Sequence, residues 1–188
     1  MATTTRLLTY DDLEGIPQER EGDNHELIGG VLYVTPSPIP MHEEIRFNLA
    51  LLVGNAVRRD NLGKVYVQVD VVLTPPDVLI PDLVFIGRDH LQIVGPTAIE
   101  GAPDLVVEVL SPSTRGRDLG AKLALYQQHG VREYWVADPV AHTLTIRVLE
   151  GDRYRIVAEE NGVLGSTVIP GLVIDVARLF AGIANARS

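Results

Sequence analysis

Two stretches of this chain, 79–86 (Leu-Ile-Pro-Asp-Leu-Val-Phe-Ile) and 105–110 (Leu-Val-Val-Glu-Val-Leu), are apolar almost without a break, yet each carries one carboxylate. Runs of this length and composition suit strands covered on both faces, at the centre of a sheet. Their acids, Asp82 and Glu108, then need an explanation, because burying an unpaired carboxylate is costly. Each has to be paired, protonated, exposed at a strand end or bound to a cation. Side-chain alternation puts Ile80, Asp82 and Val84 on one face of the first strand and Val106, Glu108 and Leu110 on one face of the second. If those strands are neighbours with the faces aligned, the carboxylates converge. Two hard oxygen ligands, completed by waters and a substrate phosphate, are what Mg²⁺ or Mn²⁺ prefers.

The rest of the chain supplies what such a sheet requires. Thr9 is placed to cap a short helix through Glu14, ended by Pro17, and an acidic loop to Asp23 leads into a hairpin, His25–Ile28 against Val31–Val34 around Gly29-Gly30. After the prolines of 36–40, Ile45, Leu49, Leu52 and Ala56 form the stripe of an amphipathic helix. Val65, Val67, Val69 and Val71 alternate with polar residues as a strand with one wetter face. Ser111-Pro112-Ser113-Thr114 is a turn and cap cluster, Leu119, Leu123 and Tyr126 mark a helix that Gly130 ends, and 131–137 returns as a strand. Residues 105–137 therefore read as a βαβ unit with parallel strands. A second hairpin, 143–149 with 154–158, and a helix starting near Asp175 complete the chain. The expected architecture is α/β: one domain over 1–188, a mixed β-sheet flanked by helices, with an N-terminal hairpin and a C-terminal hairpin extension.

With 188 residues, 46% of them apolar and 22% charged, the chain has the composition of an ordinary globule. Sixteen Lys and Arg against twenty-five Asp and Glu leave a net charge of −9, which disfavours diffuse binding to phosphate backbones but leaves room for a local cation or a bridging metal. Without cysteine there is no disulfide, thiolate zinc site, iron–sulfur cluster or thiol nucleophile, and a cytoplasmic setting is expected. Residues 1–10 lack the apolar segment of a signal peptide, and no stretch is long enough to span a bilayer.

Other chemistries lack their residues. His25-Glu26 and His42-Glu43 have no second histidine in the spacing of a zinc protease; His42 reads as an exposed polar residue beside solvated glutamates, with a substrate contact near the start of its helix as the alternative. The serines at 111 and 113 do not form a nucleophile elbow, and neither phosphate-loop nor dinucleotide fingerprints occur. Tyr134-Trp135 reads as core packing rather than base stacking.

Pro81-Asp82 followed by Glu108-Val109-Leu110 on a second strand resembles the PD-(D/E)XK nuclease core. Glu26-Leu27-Ile28-Gly29-Gly30, residues 36–42, the run 108–114, Asp118, Lys122, Tyr126 and Glu133-Tyr134-Trp135 more narrowly resemble the Uma family of restriction-endonuclease-like bacterial proteins, over about 9–139. The resemblance implies a restriction-endonuclease-like fold and a Mg²⁺-dependent endonuclease acting on DNA. Asp82 and Glu108, with the Val109 carbonyl, would be the metal ligands, and the resemblance also implies a homodimer, since many such nucleases pair to cut two strands. Leu110 stands where the motif's lysine belongs, and the resemblance moves that lysine to Lys122 on the following helix. Two readings of Lys122 stand: a group that orients water and balances phosphate charge, or a solvated helix lysine paired with Asp118. Glu26 is likewise either a third carboxylate of the site or a plain strand-end acid. The alternative functions are a catalytically inactive interaction module on the nuclease fold and a metal-dependent hydrolase of another phosphoester.

Overall fold

The computed structural model describes residues 6–17 and 23–183. Thr9 opens α1 (Tyr10–Leu13) by directing its backbone N–H and its hydroxyl at the Asp12 carboxylate, 2.9 and 3.0 Å away. The first hairpin joins β1 (Asn24–Ile28) to β2 (Val31–Thr35) through Gly29 and Gly30, whose φ angles of 57° and 75° belong to a two-residue turn of the type strand twist favours. Proline at its first turn starts α2 (Pro40–Arg59). The strands β3 (Gly63–Tyr66), β4 (Val71–Thr74), β5 (Asp77–Leu79), β6 (Leu83–Gly87), β7 (Ile99–Glu100) and β8 (Leu105–Val109) follow. Next come α3 (Arg115–Arg117), a widened π-type turn over Asp118–Lys122 and α4 (Leu123–Gln128), which together make one helical segment. The chain continues with β9 (Glu133–Asp138), β10 (Thr143–Glu150), β11 (Arg153–Ile156), β12 (Val163–Gly165), β13 (Val173–Asp175) and α5 (Val176–Leu179).

The strands form three sheets rather than the single one expected. A six-stranded sheet runs β11-β10-β9-β8-β6-β3, a five-stranded sheet runs β2-β1-β5-β4-β7, and β12 pairs with β13. In the six-stranded sheet β8 and β9 are parallel, as the βαβ reading requires, and its other ladders are antiparallel. Two expected strands are divided between sheets. The run 79–86 breaks at Ile80-Pro81-Asp82, with β5 in the five-stranded sheet and β6 in the six-stranded one. Pro81 has no N–H to give to a ladder, so the strand cannot continue through it. The run 65–71 divides likewise into β3 and β4, and Gln68 takes φ 46° at the crossing. Both crossings lie at the seam between the two large sheets.

Apolar burial explains the layering. On one face of the six-stranded sheet, Leu83, Phe85, Val107 and Trp135 pack with Ile45, Leu49 and Val53 of α2 and with Ile174 and Leu179 of the C-terminal segment. On the other, Val84, Val106, Leu110 and Tyr134 pack with Tyr126 of α4 and with Val71 and Leu79 of the five-stranded sheet. Each such side chain, fully buried, contributes roughly 1.5–3 kcal/mol. The C-terminal segment is also held by Glu133, a fully buried carboxylate that accepts from the Trp135 indole N–H (2.9 Å), the Ser166 hydroxyl (2.9 Å), the Thr167 hydroxyl (2.7 Å) and the Thr167 backbone N–H. Among the described residues no helix is long and apolar enough to cross a membrane.

Candidate functional site

The β6–β8 ladder pairs Leu83 with Val107 and Val84 with Val106, so the same register carried back one residue sets Asp82 beside Glu108. Asp82 stands just past the proline break, where the backbone leaves the ladder. There its Oδ2 accepts the Val109 N–H at 2.7 Å, a side chain filling the place of the missing strand bond. Glu26 comes from β1 in the other sheet, and its Oε1 accepts the Ile80 N–H at 3.0 Å, which ties the two sheets together at their seam.

Lys122 joins these acids. Its Nζ lies 2.7 Å from Glu26 Oε1, 3.0 Å from Glu108 Oε1 and 3.4 Å from Asp118 Oδ1. Glu26, Asp82, Glu108, Asp118 and Lys122 are exposed by only 2, 7, 4, 1 and 2%. The solvated-lysine reading of Lys122 therefore fails, and so does the plain strand-end reading of Glu26. The π turn sets Asp118 and Lys122 inward together; Tyr134 donates to the Asp118 carbonyl at 2.9 Å and Tyr126 to Glu108 Oε1 at 2.8 Å. Widened turns of this kind recur at functional sites. Leu110, in the slot of the motif lysine, is buried among the apolar side chains of its face.

His42 is the residue that the sequence reading misplaced. It is buried rather than exposed, and Nε2 lies 3.3 Å from Asp82 Oδ2. The signal was available, because His42 falls in phase with Ile45, Leu49, Val53 and Ala56 on the buried stripe of α2. For Asp118 the sequence offers a family resemblance and a helix partner for Lys122, but no site role. The same i, i+4 spacing that suggested a surface ion pair also suits a buried one.

Electrostatics follow from crowding. Burial pushes the Glu108 carboxyl well up; Lys122 opposes the shift while Asp118, Asp82 and Glu26 add to it. Asp118 is also raised by burial, against Lys122. Burial works to lower Lys122, but Glu108, Glu26 and Asp118 outweigh it and hold the ammonium above its ordinary range. Burial pulls His42 down as well, and Asp82 and Glu43 more than reverse it. Glu26, Asp82 and Glu108 thus line, together with Lys122, a cleft of about 210 Å³ that opens between residues 35–39 and 111–114, and Asp118 backs the ammonium from outside the cleft wall. Among the described residues no three His, Cys, Asp or Glu side chains form a ready-made ion cage. Mg²⁺ does not demand one, since one or two carboxylates, waters and a substrate phosphate suffice. The donors of the cleft are hard oxygens with a surplus of negative charge, so they fit that ion.

Comparison with known proteins adds two findings. The model of the Uma2 family, described as "Putative restriction endonuclease", matches residues 8–177. The fold is similar to the crystal structure of a putative nuclease belonging to DUF820 from Anabaena variabilis ATCC 29413, with a TM-score of 0.75 and 18% identity over 92% of this chain and 97% of that one. No curated protein matches the chain.

Proposed function

The chain belongs to the Uma2 family, described as "Putative restriction endonuclease", and has the restriction-endonuclease-like fold; on that premise we propose that it is a metal-dependent endonuclease hydrolysing phosphodiester bonds of DNA. The observation that carries the reading is the buried convergence of Glu26, Asp82 and Glu108 on a cleft with a single lysine, itself backed by Asp118. Such a surplus of carboxylate is stable as anions only if something cationic offsets it, and otherwise takes up protons. Asp82 and Glu108, with the Val109 carbonyl, would hold Mg²⁺ or Mn²⁺. Bound there, the ion would polarise the scissile phosphate and acidify the attacking water.

The chain's own groups divide the remaining work. With its proton held by Glu108, Glu26 and Asp118, Lys122 stays cationic and acts as a donor, orienting the water and balancing charge on the phosphorane-like transition state rather than serving as a base. Glu26, fixed by Lys122 and by the Ile80 N–H, positions the ammonium and a water or a second ion. Val109 and His42 both engage Asp82 Oδ2, which fixes that carboxylate in one orientation. The proposal extends to a homodimer, since one site cuts one strand, and to action in the cytoplasm.

Cleavage of plasmid and linear DNA in Mg²⁺ and Mn²⁺, with chelator as control, tests this. Cutting is expected to vanish in Asp82→Ala and Glu108→Ala. Cutting that survives both variants ends the proposal, and absence of both cleavage and ion binding leaves the fold as an interaction module.

A further inference from the structure

The cleft carries a surplus of negative charge, so a phosphodiester needs a cation at the rim to enter it. On the helices that flank the cleft, Arg46 is matched by Glu43, and Arg115 by Asp138 at 2.6 Å. Arg117 differs. Among the described residues it meets no carboxylate: its guanidinium lies 5.0 Å over the Tyr33 ring and donates to Thr35 Oγ1 at 2.5 Å, and its Nε is buried with no hydrogen-bond partner. Hairpin register pairs Tyr33 with Glu26 and Thr35 with Asn24, so the two residues that hold Arg117 project from the same face of the hairpin as the site glutamate. A guanidinium held by a ring and a hydroxyl keeps its full charge, and N–H donors of its planar fork other than the buried Nε and the one given to Thr35 are left for a phosphate.

The adjoining groove has the other sign. A groove that shares Asn24, Gln68 and Ile80 with the cleft is bordered by Asp11, Glu14 and Asp70, which repels a phosphate chain. We propose that Arg117 is the substrate anchor, binding a backbone phosphate of the nucleic-acid strand next to the one held at Asp82 and Glu108, so that the strand enters from the hairpin side. This inference rests on the nuclease reading and names a contact that the catalytic groups do not supply.

The test is fluorescence anisotropy of a labelled DNA oligonucleotide in Ca²⁺ for the wild-type protein, Arg117→Gln and Arg117→Lys, over a range of salt, with melting temperature and Mn²⁺ affinity measured alongside. Arg117→Gln is expected to weaken binding about tenfold or more and to lower the salt slope by about one, with Mn²⁺ affinity unchanged. Arg117→Lys, which keeps the charge without the fork, is expected to fall between the two, and it answers the question if the glutamine variant folds poorly. A merely structural arginine would lower the melting temperature and leave the salt slope alone. Equal binding and equal slope in wild type and Arg117→Gln overturn the anchor and leave the nuclease reading standing. A wild-type protein that binds Mn²⁺ but no oligonucleotide removes that reading and the anchor together.

Discussion

Lys122 lies within 3.4 Å of three carboxylates, and Asp82 stands beside one of them across the ladder. The surplus charge sets a pH dependence whose sign can be worked out. Burial raises the Glu108 carboxyl above its ordinary 4.5. A group raised in the fold adds stability while protonated, fully so below its ordinary value, and loses that contribution as pH rises through the folded value. Glu108→Gln keeps an acceptor for Tyr126 and sheds the charge. It is expected to melt a few degrees above the wild-type protein near pH 8 and level with it near pH 4.5. A variant that melts lower at both values would show that the Lys122 pairing outweighs burial. At this scale much was legible: Asp82 and Glu108 stood out as acids inside apolar runs, and alternation put them on one face. The burial of Lys122 and Asp118 was not, because the π turn that aims them inward has no signature in residue type.

Between elements, the decisive features are breaks and clamps. The run 79–86 looked like one strand because its composition is uniform, yet Pro81 divides it between two sheets and so brings a β1 glutamate to the end of β8. The proline was visible in the sequence, but which sheet each half would join depends on packing partners distant along the chain. The hairpin at Gly29-Gly30 and the parallel β8–β9 pair were legible, since turn chemistry and a βαβ crossover are local signals. The three-residue ladder of β12 and β13 was not, since so short a segment carries no periodicity. Glu133 opens a strand that is legible in the sequence, but its own role is not, and its environment is that of a structural clamp. Glu133→Ala strips the acceptor from the Trp135 indole, the Ser166 and Thr167 hydroxyls and the Thr167 N–H. Unfolding in urea is expected to show a loss of about 3 kcal/mol or more, with faster hydrogen exchange through 163–175. A change below about 1 kcal/mol would mean that water replaces the carboxylate at little cost.

Over the whole molecule, a net charge of −9 and a carboxylate-rich cleft make the same demand: the protein has to acquire positive charge before it can hold a polyanion. Arg117 supplies part of it at the rim, and a divalent ion between β6 and β8 would supply the rest. The ion is the element on which the proposed chemistry depends. Calorimetric titration of Mn²⁺ into the wild-type protein, Asp82→Asn and Glu108→Gln measures it directly. The expected result is one site in the wild-type protein, abolished in each variant while both still unfold cooperatively. Undiminished binding in the two variants, or none in the wild-type protein at millimolar ion, would contradict the account.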